Sequence, residues 1–438
     1  MTGSCHLLET PSGKILVDCG MFQGEHEEWT HDPFGFDPKE ICAVLITHPH
    51  ADHTGRLPKL ISEGFRGPIF MTEACRPLSR LVLEDSVSIM LDNAKREGKQ
   101  VLFTKEDVGQ VYEQVEVRAY HEEMNLCSGV TAMFHEAGHV LGSAYISIET
   151  EGKRLVFSGD IGNDNVPILP LTEPISRADV VVCEATYGDR EHETMSERRG
   201  RLREVMEATI RDKGTLLIPA FSIERTQEVL YEMNHILLHE LKTNIPIFLD
   251  SPMAIKATQI YRDYKTFLHF DAPIFSDPDR DFFAFPNLRE TLSVDASKAI
   301  NEVPAPKIVI AGSGMMSGGR IMHHLLRCLD KPTTTLLVVG YQAYGTLGRR
   351  IQDGAKHVRI FGQEVEVRAK VEEIHSFSAH GDRDKLTRWL RPADGVIPKK
   401  IILVHGDADQ KIAFKAHLER ELGTEILIPG FGETIELS

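Results

Sequence analysis

The sequence lacks several features that would each indicate a particular class of protein. No apolar run reaches the ~18 residues that a membrane span needs, and the start, Met1–Cys5, does not have the pattern of a signal peptide. The seven cysteines form no C-x-x-C pair, and an odd, scattered set favours reduced thiols over a disulfide framework. We therefore expect a cytoplasmic protein that has no membrane partner.

A net positive charge is also missing. The chain has 49 Lys and Arg residues against 65 Asp and Glu residues, which gives a formal charge of −16. This balance excludes binding of nucleic acid by bulk charge, so a nucleic-acid contact would need a local basic groove. The other proportions, 42% hydrophobic and 26% charged over 438 residues, are typical of a soluble enzyme with two or three domains.

The pattern of apolar residues changes near residue 190. Before that point, short apolar runs such as Val180–Cys183 predict strands, and the spacing in Pro77–Glu97 predicts an amphipathic helix that ends at Gly98. Over residues 190–350, strands followed by glycine or serine turns and then by helices predict a parallel α/β unit. The fold class is therefore α/β, with two regions of different build.

The densest chemistry lies in the segment Thr47–His53, with the sequence Thr-His-Pro-His-Ala-Asp-His. Three imidazoles and a carboxylate so close together need partners, because each unpaired buried polar group costs a few kcal/mol. Pro49 keeps His48 extended, so an H-x-H pair can direct both rings at one ion. Asp52 and His53 then face a second position. These side chains suit Zn²⁺ or a related metal such as Mn²⁺, and a polar surface loop is the alternative.

Three later residues that follow predicted strands are able to complete two coordination spheres. They are His139, Asp160 and His405. Taken singly, each could equally be a helix-capping aspartate or a surface histidine. Together with the Thr47–His53 segment, they predict a metal centre built at the ends of strands.

A competing motif overlaps His139. Residues His135–His139 match H-E-x-x-H, the zinc-protease motif, which needs a helix so that both histidines share one face. Gly138 and Gly142 would each cost a helix interior ~1 kcal/mol relative to alanine, and the preceding apolar run is typical of a strand. We therefore expect no protease helix here and treat His135 as a bystander.

The Thr47–His53 segment, with Asp18 before it, resembles the metallo-β-lactamase superfamily, whose fold is an αββα sandwich that holds two Zn²⁺ ions. The resemblance implies one zinc bound by three histidines: His48, His50 and His139. It implies a second zinc bound by Asp52, His53 and His405. Asp160 would bridge the two ions, and Asp18 would support the segment from behind. Two such ions, about 3.5–4 Å apart, activate water, and Asp52 would serve catalysis as well as ligation.

The stretch between Asp160 and His405 (405 − 160 = 245 residues) is similar to the domain inserted in the β-CASP group of nucleases. Four motifs, in this order, carry the resemblance: Glu184–Arg190, Gly312–Arg320, Phe377–Asp382 and Leu403–Gly406. The chain is most similar to bacterial and archaeal relatives of the polyadenylation cleavage endonuclease. The resemblance implies a metallo-β-lactamase domain in two parts, 1–188 and 356–438, with a β-CASP domain at 189–355.

The resemblance implies a zinc-dependent ribonuclease that hydrolyses phosphodiester bonds of single-stranded RNA. It would act as an endonuclease, with a 5′–3′ exonuclease activity left open, and His405 favours RNA over DNA. His380 would protonate the leaving oxygen while Glu184 orients its ring. A hydrolase of a small thioester or lactone and a catalytically idle RNA-binding scaffold are the alternatives, and a homo-oligomer is left open.

The glycine-rich segment Gly312–Gly319 follows a predicted strand and leads into a helix. Free N–H groups at such a turn suit phosphate oxygens, although the segment lacks the spacings of nucleotide-binding loops. We predict that it binds RNA phosphates, while a purely structural turn is the alternative. The predicted phosphate-binding residues are Ser222, Arg225, Ser313, Gly314, Arg320 and Ser378. The arginines near Arg198 stand among glutamates, which favours a solvated helix face.

Overall fold

The computed structural model describes residues 3–98, 100–164, 166–192, 195–269 and 281–437. The chain forms two compact units. The first contains Met1–Asp164, Pro170–Glu191 and His380–Ser438, and the second contains Asn165–Leu169 and His192–Ala379. The chain therefore passes from the first unit to the second at 191/192 and returns at 379/380. The division at 188/189 and 355/356 stays a prediction about the inserted domain.

The described residues form strands and α-helices, with six strands in succession, β5 to β10, in the first unit. The strands are β1 His6–Thr10, β2 Gly13–Val17, β3 Ile41–Leu45, β4 Ile69–Met71, β5 Val115–Val117, β6 Met124–Cys127, β7 Val130–Glu136, β8 Ala144–Thr150, β9 Lys153–Phe157, β10 Val180–Glu184, β11 Thr215–Pro219, β12 Ile247–Leu249, β13 Leu288–Glu290, β14 Lys307–Ala311, β15 Thr334–Val338, β16 His357–Ile360, β17 Gln363–Glu366, β18 Lys370–Glu373, β19 Lys400–Val404 and β20 Glu425–Leu427. The α-helices are α1 Ala51–Thr54, α2 Leu57–Ser62, α3 Cys75–Glu97, α4 Lys105–Glu113, α5 Met195–Arg211, α6 Arg225–His239, α7 Pro252–Asp263, α8 Val294–Ala299, α9 Ile321–Cys328, α10 Leu347–Gln352, α11 Arg383–Trp389 and α12 Ala408–Leu422.

The first unit is a four-layer sandwich. One sheet has the order β1-β2-β3-β4-β5, and the other has the order β20-β19-β10-β9-β8-β7-β6. Their facing surfaces share one apolar core, in which Val17 and Leu45 of the first sheet cluster with Phe134, Ile146 and other residues of the second. The outer face of the first sheet packs with residues of α2, α3 and α4, and that of the second packs with residues of α11 and α12. The predicted αββα arrangement is confirmed.

Two elements show why the sequence pattern succeeds in this unit. Strand β10 is buried along its whole length between β9 and β19, which explains its continuous apolar run without alternation. Helix α3 ends at Gly98, whose φ of 69° is a left-handed conformation that glycine adopts at low cost. Both elements match the predictions made from Val180–Cys183 and Pro77–Glu97.

The second unit is built around a parallel sheet of order β13-β12-β14-β11-β15-β18. One apolar cluster combines residues of β11, β14 and β15 with residues of α9, such as Ile321 and Leu325. A separate hairpin, β16–β17, adds Val358 and Ile360 to that cluster. The predicted parallel α/β unit is confirmed. None of the helices in the described ranges combines the length and apolar content that a membrane crossing would require.

Candidate metal centre

The first unit brings the carboxyl ends of several strands to one edge. Strands β2 and β3 run parallel in one sheet, and β9, β10 and β19 run parallel in the other. Contacts of His48 and His53 with Asp160 show that the ends of both groups meet at one edge. The predicted site residues that follow or end these strands are Asp18, His48, Asp160, Glu184 and His405. His139 follows β7, which lies two antiparallel pairings away from β9 and therefore points the same way.

The Thr47–His53 segment leaves β3 as an extended loop and then forms the short helix α1. Its backbone is fixed from the β2 side, because Cys19 N donates to His53 O (2.8 Å) and Met21 N donates to Ala51 O (2.9 Å). Gly20 lies between these two contacts, and a Cβ at this position would be only 1.6 Å from Asp52 O. The glycine therefore allows the close approach that holds the ligand segment in place.

The first set of ligand atoms gathers around His50. Its Nδ1 lies 3.1 Å from His48 Nε2 and 3.4 Å from His139 Nε2. Asp160 Oδ2 lies 3.5 Å from His48 Nε2 and 3.6 Å from His139 Nε2. Ligands of a tetrahedral zinc at 2.0–2.1 Å are roughly 3.3 Å from one another, so these separations are close to those of a zinc site.

The second set consists of Asp52, His53 and His405, with all three ligand atoms within 4.8 Å of one another. His405 Nε2 is 3.9 Å from Asp52 Oδ2. The other oxygen of Asp160, Oδ1, is 3.5 Å from His53 Nε2 and 3.9 Å from His405 Nε2. Each oxygen of the Asp160 carboxylate thus faces a different set.

Asp18 and Thr47 determine which nitrogens face the ligand sets. His53 Nδ1 donates to Asp18 Oδ2 (2.7 Å), and Thr47 donates from its backbone N and its Oγ1 to the two Asp18 oxygens, both at 2.8 Å. Because that hydroxyl is already donating, Thr47 Oγ1 is an acceptor for His48 Nδ1 at 3.1 Å. The Nε2 lone pairs of His48 and His53 therefore point into the site.

Sequence reasoning missed two contributors to this arrangement. Thr47 supports two ligand histidines, and its position directly before His48 was the only available signal. Ser4 Oγ lies 3.4 Å from both His53 Nε2 and His405 Nδ1. It is 401 residues from His405 in the chain, so no local pattern could have indicated the contact.

The electrostatics of the two sets are those of a cation site. Burial, together with the neighbouring imidazoles, holds the pKa of His48 well below its usual range, and burial lowers the pKa of His405 to about 3. Burial raises the pKa of Asp160 to about 7. Burial would also lower the pKa of His53, but the Asp160 and Asp18 carboxylates raise it to about 10. The neutral imidazoles of His48 and His405 offer lone pairs to a cation, and a positive charge close to the Asp160 carboxyl group would favour its ionised form.

The residues present fit a bound metal. Asp160 Oδ1 is buried and accepts no hydrogen bond from any residue in the described ranges, although it faces two imidazole nitrogens. The donor set is imidazole and carboxylate, which matches zinc and other first-row divalent ions. The two sets, with Asp160 between them, could hold two such ions.

His380 and Glu184 form a pair beside Asp160. His380 Nδ1 is 3.1 Å and 3.2 Å from the two Glu184 oxygens and 3.9 Å from Asp160 Oδ2. Backbone contacts fix both residues, since Ile161 N donates to Glu184 Oε1 (2.7 Å) and Gly381 N donates to Ile161 O (2.7 Å). Burial opposes protonation of His380, but the carboxylates of Glu184 and Asp160 raise its pKa to about 9. The imidazole can therefore carry a proton at neutral pH.

The competing H-E-x-x-H interpretation is wrong, because His135 and Glu136 belong to strand β7. His135 points away from the metal centre and instead contacts Ser147 Oγ at 2.9 Å and stacks on Tyr145. The two histidines of that motif therefore have different neighbours: His139 belongs to the first set of ligand atoms, and His135 does not.

The six residues predicted to bind RNA phosphates all lie in the second unit. Ser222 Oγ is 3.3 Å from Ser251 Oγ, and Ser313 Oγ accepts from Ser317 N at 3.1 Å. A Cβ at Gly314 would lie 2.6 Å from the Phe221 ring, so this glycine has a packing role. Ser378 is buried.

The two predicted phosphate-binding arginines are held inside the second unit. Arg225 is buried and pairs with Glu228. Arg320 donates to Asp250 Oδ1 (2.7 Å) and to the carbonyl oxygens of Thr291 and Leu292 (2.8 and 2.7 Å). Since both guanidinium groups already have carboxylate partners, this geometry gives no support to their predicted phosphate contacts.

The arginines near the start of α5 also differ from expectation. Arg198 is fully buried and pairs with Glu228 (3.2 Å) and Glu232 (2.9 Å) of α6, while Arg199 pairs with Glu232 at 2.6 Å. The prediction of a solvated face is wrong at Arg198. The nearby glutamates in the sequence gave the misleading signal, because the true partners lie on another helix.

Three family models match this chain. A metallo-β-lactamase superfamily model matches residues 1–89, a Beta-Casp domain model matches 226–351, and a model described as a Zn-dependent metallo-hydrolase RNA specificity domain matches 364–429. Together they fall on the ligand segment, the second unit and the stretch that contains His380 and His405.

Relatives match over nearly the whole chain. A protein named a ribonuclease from Thermus thermophilus is 40% identical over 435 residues, covering 99% of this chain and 97% of the relative. An RNase J-like protein from Methanocaldococcus jannaschii is 31% identical, covering 99% and 96%. A crystal structure of a protein of unknown function from Enterococcus faecalis V583 covers 100% of this chain and 97% of its own, with a TM-score of 0.53 and 11% identity, and shares the fold.

Proposed function

The chain belongs to the β-CASP group of the metallo-β-lactamase superfamily, and on that basis we propose that it is a zinc-dependent ribonuclease that hydrolyses phosphodiester bonds of single-stranded RNA. One observation carries the proposal. The two oxygens of Asp160 face two separate sets of ligand atoms, each at 3.5–3.9 Å. The relatives named for ribonuclease activity support RNA as the substrate class.

In this proposal, His48, His50 and His139 would hold one Zn²⁺, and Asp52, His53 and His405 would hold the other. Asp160, which has one oxygen towards each set, would be available to both. When bound, two divalent ions supply positive charge for the scissile phosphate and make water a nucleophile at neutral pH. Asp18 and Thr47 keep the ligand nitrogens directed into the site before any ion arrives, which reduces the reorganisation that binding requires.

His380 supplies the proton in this proposal. Its Nδ1 is held by the Glu184 carboxylate, which orients the ring, and in this proposal the protonated ring donates to a leaving oxygen of the RNA backbone. The Glu184 carboxylate favours the protonated ring, and the ring's proton neutralises the alkoxide as the P–O bond breaks. Glu184 acts through His380, so it is a positioning residue.

The contact with RNA is proposed for the glycine-rich segment of the second unit. Ser313 and Gly314 begin this segment after β14, and Ser222 and Ser378 are further hydroxyl donors of the same unit. Arg225 and Arg320 stabilise the unit through Glu228 and Asp250. The positive charge that RNA binding needs is therefore expected from other cationic side chains.

The test uses the full-length, zinc-loaded protein and 5′-end-labelled single-stranded RNA. We expect products from internal cleavage, and a labelled mononucleotide would reveal an additional 5′–3′ exonuclease activity. His48→Ala removes a ligand and should abolish cleavage, while His357→Ala, a change at an exposed histidine of β16, should leave it intact.

Two outcomes would contradict this function. Equal cleavage by the wild-type and His48→Ala proteins would show that a contaminating nuclease or another site is responsible. Hydrolysis of a thioester or a lactone, without any cleavage of RNA by the zinc-loaded protein, would instead favour the small-substrate hydrolase.

A further inference from the structure

We propose that His121, His135 and Glu173 form an additional zinc site on the first unit, separate from the metal centre described above. Their ligand atoms all lie within 4.8 Å of one another. His121 Nε2 is 3.1 Å from Glu173 Oε1, and His135 Nδ1 is 3.7 Å from Glu173 Oε2. Each imidazole thus faces a different oxygen of Glu173, at a separation within about 0.4 Å of the roughly 3.3 Å between ligands of a tetrahedral zinc.

The backbone holds the three residues together around one strand. His121 N donates to Phe134 O (2.9 Å), and Glu173 N donates to Glu136 O (3.0 Å). Phe134 and Glu136 are the two neighbours of His135 in β7, so one strand fixes a residue on each side of the central histidine. The site is therefore pre-arranged by main-chain hydrogen bonds.

His135 has the orientation that ligation requires. Its ring stacks on Tyr145, with centroids 4.6 Å apart and planes 11° from parallel. Its Nε2 is 2.9 Å from Ser147 Oγ, which can accept the Nε2 hydrogen and leave the Nδ1 lone pair facing Glu173. Arg154 also donates to Ser147 Oγ (3.2 Å) and is the neighbouring cation, with Glu149 3.7 Å from its guanidinium.

The ligand set also indicates how an ion would be held. Two histidines and one glutamate leave the fourth position of a tetrahedral zinc open. The His121 side chain is 57% exposed, so a solvent molecule can fill that position. An ion here would tie the turn around His121 and the segment around Glu173 to β7.

The test counts zinc in the full-length protein after loading and gel filtration in metal-free buffer. We expect His121→Asn and Glu173→Gln to retain one equivalent less zinc than the wild-type protein and to keep its ribonuclease activity. His357→Asn makes the same change at an exposed histidine of β16 and should retain the full amount. Asparagine is chosen at position 121 because His121 has a φ of 65°, a left-handed conformation that asparagine adopts more readily than most residues.

The test compares the zinc content of each variant with that of the wild-type protein. The difference does not depend on how many ions the metal centre around Asp160 holds. The same comparison in a His48→Ala background should again differ by one equivalent, even if the proposed ribonuclease function is wrong. Equal zinc content in the wild-type, His121→Asn and Glu173→Gln proteins would overturn the proposal. So would a wild-type protein that loses this equivalent during gel filtration.

Discussion

At the scale of single residues, the metal centre depends on side chains that never touch an ion. Asp18 illustrates this, because one carboxylate orients both His53 and Thr47, and Thr47 in turn faces His48. Asp18 is itself buried at the end of β2 with a φ of 61°, a conformation that asparagine also tolerates.

We therefore predict that Asp18→Asn weakens zinc binding by about 10–100-fold, the usual effect of losing a supporting carboxylate. The amide keeps the shape of the side chain but no longer favours a hydrogen on His53 Nδ1. Competition against a chelator of known affinity measures the change, with the exposed Asp409→Asn as a control. Unchanged affinity would mean that the Asp18 contact does not orient the ligand.

A second prediction concerns the pair formed by Glu184 and His380. The Glu184 carboxylate raises the pKa of His380, so removing its charge in Glu184→Gln lets burial lower that pKa. Because the proposed acid is the protonated ring, activity is lost as the pH rises through this pKa. The alkaline limb of the kcat profile should therefore move to lower pH.

The companion change His380→Gln should lower kcat by about 10²–10⁴-fold, the usual contribution of a general acid, and should remove the alkaline limb. Zinc content should stay at the wild-type level in both variants. An alkaline limb at the same pH in the wild-type and Glu184→Gln proteins would contradict the assigned roles.

At the scale of secondary-structure elements, the close contact between the residues after β2 and helix α1 determines where the ligand segment lies. A Cβ at Gly20 would overlap Asp52 O at 1.6 Å and approach His53 N at 2.8 Å. Both neighbours are backbone atoms, so the clash cannot be relieved by a change of rotamer. The ligand segment itself would have to move.

Gly20→Ala should therefore reduce zinc content and lower the free energy of unfolding by about 1–3 kcal/mol, the usual cost of overpacking. Gly35→Ala is the matched control, because a Cβ there has no neighbour within 4 Å. Metal analysis and urea unfolding measure the two effects. If Gly20→Ala binds zinc as well as Gly35→Ala does, the contact does not position the segment.

Helices α5 and α6 are joined by buried charges. Arg198 contacts Glu228 and Glu232, and each glutamate retains one further arginine partner, Arg225 or Arg199. Arg198→Met should lower the free energy of unfolding by about 3 kcal/mol, near the lower end of the range for breaking a buried ion pair.

Arg201→Met is the control for this prediction. Arg201 lies on the same helix as Arg198 and forms an exposed pair with Glu372 of β18, so its loss should cost about 0–1 kcal/mol. Urea unfolding of both variants provides the comparison. Equal stability of the two variants would show that the buried charges do not hold the helices together.

At the scale of the whole molecule, the residue pattern predicts more of the first unit than of the second. The apolar run of β10 and the ligand residues in Thr47–His53 are patterns of consecutive residues. A buried strand and a metal-ligand segment can therefore be predicted from them. The pairing of Arg198, Arg225 and Arg320 with carboxylates depends on which helices and strands become neighbours. No local pattern carries that information, so the sequence could not reveal that Arg225 and Arg320 already have carboxylate partners.

The proposed site at His121, His135 and Glu173 also could not be predicted from local sequence. The H-E-x-x-H pattern pairs His135 with His139, but its neighbours in space lie 14 residues before it (135 − 121) and 38 residues after it (173 − 135). Two hydrogen bonds to carbonyl oxygens of β7 bring these residues together, and such contacts depend on the fold and not on a local sequence pattern.

The proposed mechanism requires that Asp160 lies between two bound metal ions. Diffraction from crystals of the zinc-loaded protein, measured at the zinc absorption edge, locates the ions directly. We expect one anomalous peak among His48, His50 and His139 and another among Asp52, His53 and His405, with one oxygen of Asp160 facing each peak. A single peak in this region, or peaks that leave Asp160 without contact, would contradict it.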